Sequence, residues 1–482
     1  MSKFSSKVKG IFRVSLSNLI SLGLSMLTSF ILPLFISVEQ YGYWQLFILY
    51  AGYVGFFVLG FNDGVQLNYA TETYNENLAS KFNSFKRLLT ILTLIESIIL
   101  IIICFFVFDI GSTDFYIALL VIINIFPTAI IGLFIYLNQS TLRFKEYSWC
   151  NVVDKIIFAI LMLCLIVFRQ KNSIIYMSAY TIARFAVIIY CYYSDKMVFT
   201  IKGTRLYNLK SEIVKNFKDG FPLMIAVVVG GPSVIVASRF LIEAKFGIDS
   251  FSSYSFALHT LIIAAQFITA VSTVFYPIFK RCSENELNKM YLSFDKVTTL
   301  ASIALLITYF PASYIVDTFY IKYQVILNYL YIIYPLFIYQ CKVNVLITNM
   351  YKVHNQPIQL IWVNVLGIVI NLISIFIAYY LFATVTSIAF ATLTGYIIWY
   401  YVLQIHTYNK ERWSLKPALF TDLLVVLFFI SSNYWVGLHS DNYSCEILNS
   451  MIIYLIFCGV LILFGWRKIK SVIGEFSLIM KD

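Results

Sequence analysis

Fourteen apolar stretches, each near bilayer-crossing length, divide this chain, with polar connections between them. They run 11–36, 44–65, 88–108, 116–137, 152–168, 173–193, 221–242, 251–279, 297–319, 325–350, 357–381, 384–405, 418–436 and 447–466. A helix crosses the hydrocarbon with about 20 apolar residues at ~1.5 Å each. Lipid offers a backbone no outside hydrogen-bond partner, so every stretch is predicted to be helical. The fifth is the most polar: its apolar part is 156–168, which puts Asp154 and Lys155 at its boundary.

The connections alternate between basic and nearly charge-free. When cations near a span end are assigned to the closer side, the termini and even-numbered connections hold 29 of the 35 Lys and Arg, and the odd-numbered connections hold 5. The remaining one, Arg184, lies within a span. Basic residues are retained on the cytoplasmic face, so this sorting predicts a multi-pass protein with both termini inside. Composition agrees, with 60% hydrophobic residues, 12% charged and a mean hydropathy of +0.82. Soluble domains carry about 25% charged residues. The net charge of +11 is therefore read as topology and contact with anionic lipid, and not as nucleic-acid binding. The eight cysteines and four histidines show no metal-type spacing.

The chain divides into an N-lobe of six helices (1–194), a cytoplasmic linker (195–220), a C-lobe of six helices (221–405) and a final helix pair with a tail (417–482). The lobes read as a repeat. Val38-Glu39-Gln40-Tyr41-Gly42-Tyr43-Trp44-Gln45-Leu46 matches Ile248-Asp249-Ser250-Phe251-Ser252-Ser253-Tyr254-Ser255-Phe256 in pattern at an offset of 210, and Phe126-Pro127 matches Tyr334-Pro335 at 208. Six is even, so the halves run in parallel orientation.

The same residues resemble a known family. Val38 to Leu46 followed by Leu59-Gly60-Phe61-Asn62-Asp63-Gly64, then Gly220-Phe221-Pro222, Phe246-Gly247-Ile248-Asp249, Tyr254-Ser255, and Pro277 before Lys280-Arg281, look like the hairpins of bacterial polysaccharide repeat-unit flippases. These belong to the multidrug/oligosaccharidyl-lipid/polysaccharide exporter superfamily. The resemblance implies a MATE-like all-α polytopic membrane fold, fourteen helices as two six-helix lobes around a central cavity plus a C-terminal pair. It implies a bacterial inner-membrane protein and a polyprenyl-diphosphate-linked oligosaccharide as cargo, moved to the outer leaflet by alternating access for O-antigen, capsule or another polymer. It further implies coupling to a proton or sodium gradient, no organic cofactor, and work beside a polysaccharide polymerase and chain-length machinery.

A diphosphate crossing hydrocarbon needs a polar cavity and cations, so charges within spans are the informative residues. Arg184 lies deep in the sixth span. It reads either as a cavity guanidinium for bidentate phosphate contact or as the partner of Glu96, in the third span. Glu96 reads in turn as a cation-coupling carboxylate or as that partner. Lys342 is a second cavity cation or a snorkelling lysine. Arg239 is a substrate contact or an outer-rim ion pair with Glu243. Asn62, Asp63 and Gln66 gate the inner mouth, bind sugar, or cap a helix end. His259 is a proton site or a packing residue. Gly230-Gly231-Pro232 interrupts the seventh span as a hinge or a static kink. Tyr50, Tyr53, Phe56 and Phe57 stack on sugars or face lipid.

Two other functions stay open. A multidrug exporter of the same fold would favour acidic cavity residues. A membrane polymerase or ligase would call for a long outer loop, and no outer connection exceeds about a dozen residues. The absence of a G-x-x-x-x-G-K-[ST] loop argues against direct ATP drive.

Overall fold

The structure, a computed structural model, describes residues 2–69, 72–228, 232–279, 284–354, 356–411, 418–440 and 443–479. Helices dominate, as lipid requires. The chain forms two compact units, Met1–Val228 and Val229–Asp482.

Unit 1 comprises α1 (Ser2–Phe35), α2 (Val38–Ala51), a 3-10 turn (Val54–Val58), α3 (Phe61–Asn68), α4 (Glu76–Val107), α5 (Thr113–Ile123), α6 (Ile125–Ser140), α7 (Phe144–Val167), α8 (Ser173–Ser194), α9 (Lys196–Thr200) and α10 (Lys210–Val228). Polar residues between the apolar runs start the helices. Ser37, Asn75, Ser112 and Asn172 each accept a hydrogen bond from a backbone N–H of the following turn. On α4 the two faces are distinct. Ile95, Ile98, Ile102 and Phe106 are exposed, whereas Phe82, Phe85, Leu89 and Thr93 are fully buried. An exposed stripe this greasy is stable only against lipid.

Unit 2 comprises α11 (Pro232–Phe279), α12 (Glu284–Leu306), α13 (Tyr309–Phe319), α14 (Leu327–Ile333), α15 (Leu336–Lys342), a π-helical turn (Val343–Ile347), α16 (Thr348–Val353), α17 (Pro357–Phe382), α18 (Val385–Glu411), α19 (Ala418–His439) and α20 (Tyr443–Ile479). α11 is two arms joined at Gly247, whose φ of 78° only glycine adopts freely. Trp399 of α18 is fully buried and donates to the Val363 carbonyl of α17 at 2.9 Å. Gly367 makes room for it: a Cβ there would lie 2.4 Å from the indole nitrogen.

The described residues contain ten helices long and apolar enough to cross a membrane, or twelve when two bent pairs count as single spans. Of the fourteen expected spans, the seventh (221–242) is divided by residues 229–231, which lie outside the described residues, and the eighth lies in α11 beyond Gly247. Its hinge residues Gly230 and Gly231 share that gap, and Pro232 opens α11. The second expected span (44–65) is not one straight helix. It bends by 61° at Leu59 and Gly60, both with positive φ (49° and 75°). The tenth bends by 48° at Tyr334-Pro335, where proline removes a backbone donor. The expected linker is also more ordered than its composition suggests. It carries α9 and the start of α10, and unit 1 continues through it to Val228.

The bend at Gly60 has a direct cause. α3 crosses α10 backbone to backbone, through glycines on both helices. A Cβ on Gly60 would meet the Gly220 carbonyl carbon at 2.5 Å, one on Gly64 the Asn216 carbonyl oxygen at 1.9 Å, and one on Gly220 the Gly60 oxygen at 1.9 Å. Small residues four apart let helices approach this closely where no hydrophobic effect drives them together. The contact continues outside the spans. Lys81 pairs with Glu212 at 2.9 Å, and Tyr69 donates a hydrogen bond to the same carboxylate. Burial pushes that carboxyl up, but the hydrogen bonds from Tyr69 and Lys81 outweigh it and leave Glu212 below its ordinary value. Gly220→Ala is expected to destabilise the protein by about 2 kcal/mol or more, as overpacking against rigid backbone does. Gly23→Ala, with nothing within 4 Å of the added methyl, serves as control. Equal unfolding temperatures for the two variants in detergent would refute the crossing.

Candidate functional site

A cavity with a partly polar lining lies in unit 1 beside the glycine crossing. Its volume is 220 Å³, and its walls include Gly52, Tyr53 and Phe56 after α2, Asn62 and Asp63 of α3, Thr128, Gly132 and Tyr136 of α6, and Met224 of α10. Thr128, Gly132 and Tyr136 are spaced four apart, so one face of α6 lines the space. Gly132 leaves room for Asn62, since a Cβ there would lie 2.6 Å from the Asn62 amide nitrogen and push that side chain aside. Asn62 is buried and donates to the Ala129 carbonyl at 2.9 Å, while its Oδ1 has no hydrogen-bond partner. Asp63 accepts from the Tyr136 hydroxyl at 3.3 Å. Gln66, one turn on, pairs with Gln139 at 3.2 Å in an exposed position beside the cavity lining.

Arg184 reaches this cavity through one wall residue. Its Nη2 donates to Thr128 Oγ1 at 3.0 Å, and its Nη1 pairs with Asp154 Oδ2 at 3.2 Å. Asp154 is 6% exposed and also pairs with Lys155 at 3.2 Å. Two cations thus share one carboxylate, and the cluster keeps one surplus positive charge. In its ion-pair reading the partner named for Arg184 is Glu96. The structure gives Asp154 instead, because α8 packs directly on α7 and α6, whereas α4 packs on α5 and α6. Glu96 continues the inner face of Phe85, Leu89 and Thr93, and its Oε2 is buried without a hydrogen-bond partner. An unmatched buried oxygen of this kind costs free energy and calls for a ligand, a proton or water.

Lys342 differs from both of its sequence readings. It neither snorkels nor lines the unit 1 cavity or the one between α17 and α18: it has no exposed surface and sits between Asp295 of α12, at 2.9 Å, and Asp422 of α19. An ammonium in a helix core persists only with such compensation. Neither aspartate stood out in the sequence, since both lie near the ends of their spans. Arg239 of α11 donates from Nε to Ser255 Oγ at 3.2 Å and lies 5.1 Å above the Phe251 ring, across the Gly247 bend. His259 is half-buried on the second arm of α11. Unit 2 also holds a 720 Å³ cavity between α17 and α18, lined by residues such as Ile377, Phe390, Thr386 and Thr394 and by no charged side chain. None of the candidate residues lines it. Of the candidates, the unit 1 cavity brings together Tyr53, Phe56, Asn62, Asp63 and, through Thr128, Arg184. Among the described residues no three His, Cys, Asp or Glu side chains converge as a metal site.

The Arg184–Asp154 pairing makes a quantitative prediction. In a double-mutant cycle on thermal stability, Asp154→Asn and Arg184→Gln should couple by about 1–3 kcal/mol, as contacting buried groups do. Glu96→Gln and Arg184→Gln should instead add to within about 0.5 kcal/mol. The reverse result would restore Glu96 as the partner.

Comparison with known proteins places this geometry in context. The family model described as polysaccharide biosynthesis protein matches residues 7–283. No curated protein matches the chain by sequence. Among solved structures, the lipid II flippase MurJ in an inward closed conformation superposes with a TM-score of 0.60 at 14% identity, covering 95% of this chain and 99% of that one. An inward-facing MATE family multidrug resistance transporter gives 0.60 at 12% identity over 82% and 98% of the two chains. A MOP superfamily transporter from Pyrococcus furiosus gives 0.57 at 11% identity over 88% and 96%. These likenesses establish the all-helical fold, and the match over more than half the length establishes the family: the chain belongs to the polysaccharide biosynthesis protein family.

Proposed function

We propose that the protein is a flippase that carries polyprenyl-diphosphate-linked oligosaccharide repeat units from the inner to the outer leaflet of a bacterial cytoplasmic membrane. The observation that carries the reading is the placement of Arg184. Its guanidinium lies inside a span and holds a threonine of the cavity wall, within a cluster that keeps one positive charge beyond its carboxylate. A diphosphate entering hydrocarbon needs such a counter-charge, and a guanidinium meets phosphate oxygens two at a time. Asn62, Asp63 and Tyr136 offer the sugar hydroxyls donors and acceptors on the neighbouring wall. The family match supports a role in polysaccharide biosynthesis, and the MurJ-like fold supports a lipid-linked cargo.

The finer features follow the same reading. The cation bias of the connections supports cytoplasmic termini. Transport proceeds by alternating access and draws on a proton or sodium gradient. Glu96 is the leading coupling candidate because its buried oxygen lacks a partner, with Asp63 and His259 as further candidates. The repeat unit is then handed to a polymerase and its chain-length machinery, with O-antigen as the polymer expected first.

Deleting the gene should cause lipid-linked repeat units to accumulate on the inner leaflet while surface polymer disappears. Arg184→Lys keeps the charge beside Asp154 but loses the planar fork. It should lower surface polymer roughly tenfold at unchanged protein level, the equivalent of about one charge-assisted hydrogen bond. Normal surface polymer in the deletion strain would refute the cargo, and normal polymer in Arg184→Lys would remove Arg184 from it.

A further inference from the structure

The cluster around Lys342 is unbalanced in the opposite sense from that around Arg184. One ammonium faces two carboxylates, Asp295 at 2.9 Å and Asp422 in direct hydrogen bond. All three residues are buried, with relative exposures of 0% for Lys342, 6% for Asp295 and 1% for Asp422. They come from three helices, α15, α12 and α19. Neither aspartate has another ion-pair partner among the described residues. Fully ionised, the cluster would hold one surplus negative charge in a helix core, an arrangement that is strongly unfavourable.

A second observation points to what completes it. Lys342 hydrogen-bonds Oδ2 of Asp422, and Oδ1 of the same carboxylate is buried with no hydrogen-bond partner among the described residues, whereas Oδ1 of Asp295 at least faces the ammonium at 2.9 Å. The Thr299 hydroxyl lies within reach of the Asp422 carboxylate and also donates to the Asp295 carbonyl at 2.9 Å. Among the described residues, the other titratable groups facing the cluster are uncharged at neutral pH: Tyr291 of α12, Tyr339 and Cys341 of α15, and Tyr400 and Tyr401 of α18. Tyr291 and Tyr400 are engaged with Gln404, at 3.0 and 2.8 Å. The ammonium stands 5.9 Å from the Tyr400 ring centroid. Lys296, next in sequence to Asp295, is exposed.

We propose that Lys342, Asp295 and Asp422 form a proton-binding site in unit 2, with the proton resting on Oδ1 of Asp422. Uptake from water converts that carboxylate to a neutral carboxyl group and balances the cluster. Release returns the proton to water and leaves Lys342 shared between two carboxylates. The titration is that of the coupled cluster, while the proton itself rests on Asp422. Its exchange changes how strongly α19, the first helix of the C-terminal pair, is held to α12 and α15, because an ammonium binds a carboxylate more tightly than a carboxyl. The site goes beyond the cargo proposed above and does not depend on it.

Infrared spectroscopy of the purified full-length chain in lipid nanodiscs, titrated with acid and base, tests the assignment. The wild type should show a protonated-carboxyl C=O band that titrates away with rising pH. Asp422→Asn should lose that component and take up about one proton fewer per molecule in a parallel acid titration. Asp295→Asn should do the same, since one carboxylate then balances Lys342, and it provides the comparison if the first variant does not fold. Lys342→Met should enlarge the band. A titrating band that is identical in the wild type and either aspartate variant overturns the proposal. So does a wild-type band abolished by sodium chloride but not by potassium chloride at constant pH, which would make the ligand a sodium ion. Since no cargo is present, neither result bears on the flippase reading.

Discussion

A charge inside a helix bundle set in hydrocarbon survives only beside its complement, and that constraint organises both units. Arg184 and Lys342 are the cations placed deepest along their spans, and each is met by carboxylates from neighbouring helices. The bonds are costly to form and costlier to break, since removing one partner strands the other. Each cluster therefore fixes which helices must be adjacent, α7 with α8 and α6 in one unit, and α12, α15 and α19 in the other. The two clusters differ in their remainder. Two cations over one carboxylate leave a positive charge beside a cavity, which suits an anionic cargo. Two carboxylates over one cation leave a place for a proton.

The cavity beside Arg184 depends on a different contact, one with no charge in it. Gly60, Gly64 and Gly220 let α3 and α10 meet at backbone distance, and this bends the second span and turns Asn62 and Asp63 into the space lined by α6. The motifs that carry the family resemblance, Leu59 to Gly64 and Gly220 to Pro222, are thus two sides of one joint. Their glycines are packing surfaces, and the polar residues between them are the cavity wall. Tight packing of this kind passes strain between helices instead of absorbing it, so a change at the crossing is felt along α10.

The charge partners were partly legible in the sequence. Counted from the turn near Gln170, Asp154 and Arg184 stand at nearly equal depth along consecutive antiparallel helices, and so do Asp295 and Lys342 about Tyr320. Equal depth puts such residues within reach if they share a face. That rule leaves Asp154 as a candidate for Arg184, and the packing of α8 on α7, with Glu96 on a helix that packs elsewhere, decides for it. Asp422 was beyond its reach, since it is far from Lys342 along the chain and no local pattern marks its face.

The sequence by itself determined the solvent, the helical state, the positions of most spans and the family. Hydropathy, charge bias and short motifs are local properties, and lipid translates them directly into helices. Only the tertiary structure decided which helix face meets which, because rotation about a helix axis changes every partner while leaving hydropathy almost untouched. It therefore took the fold to pair Arg184 with Asp154, to enclose Lys342 between two aspartates, and to bend the second span where glycine meets glycine.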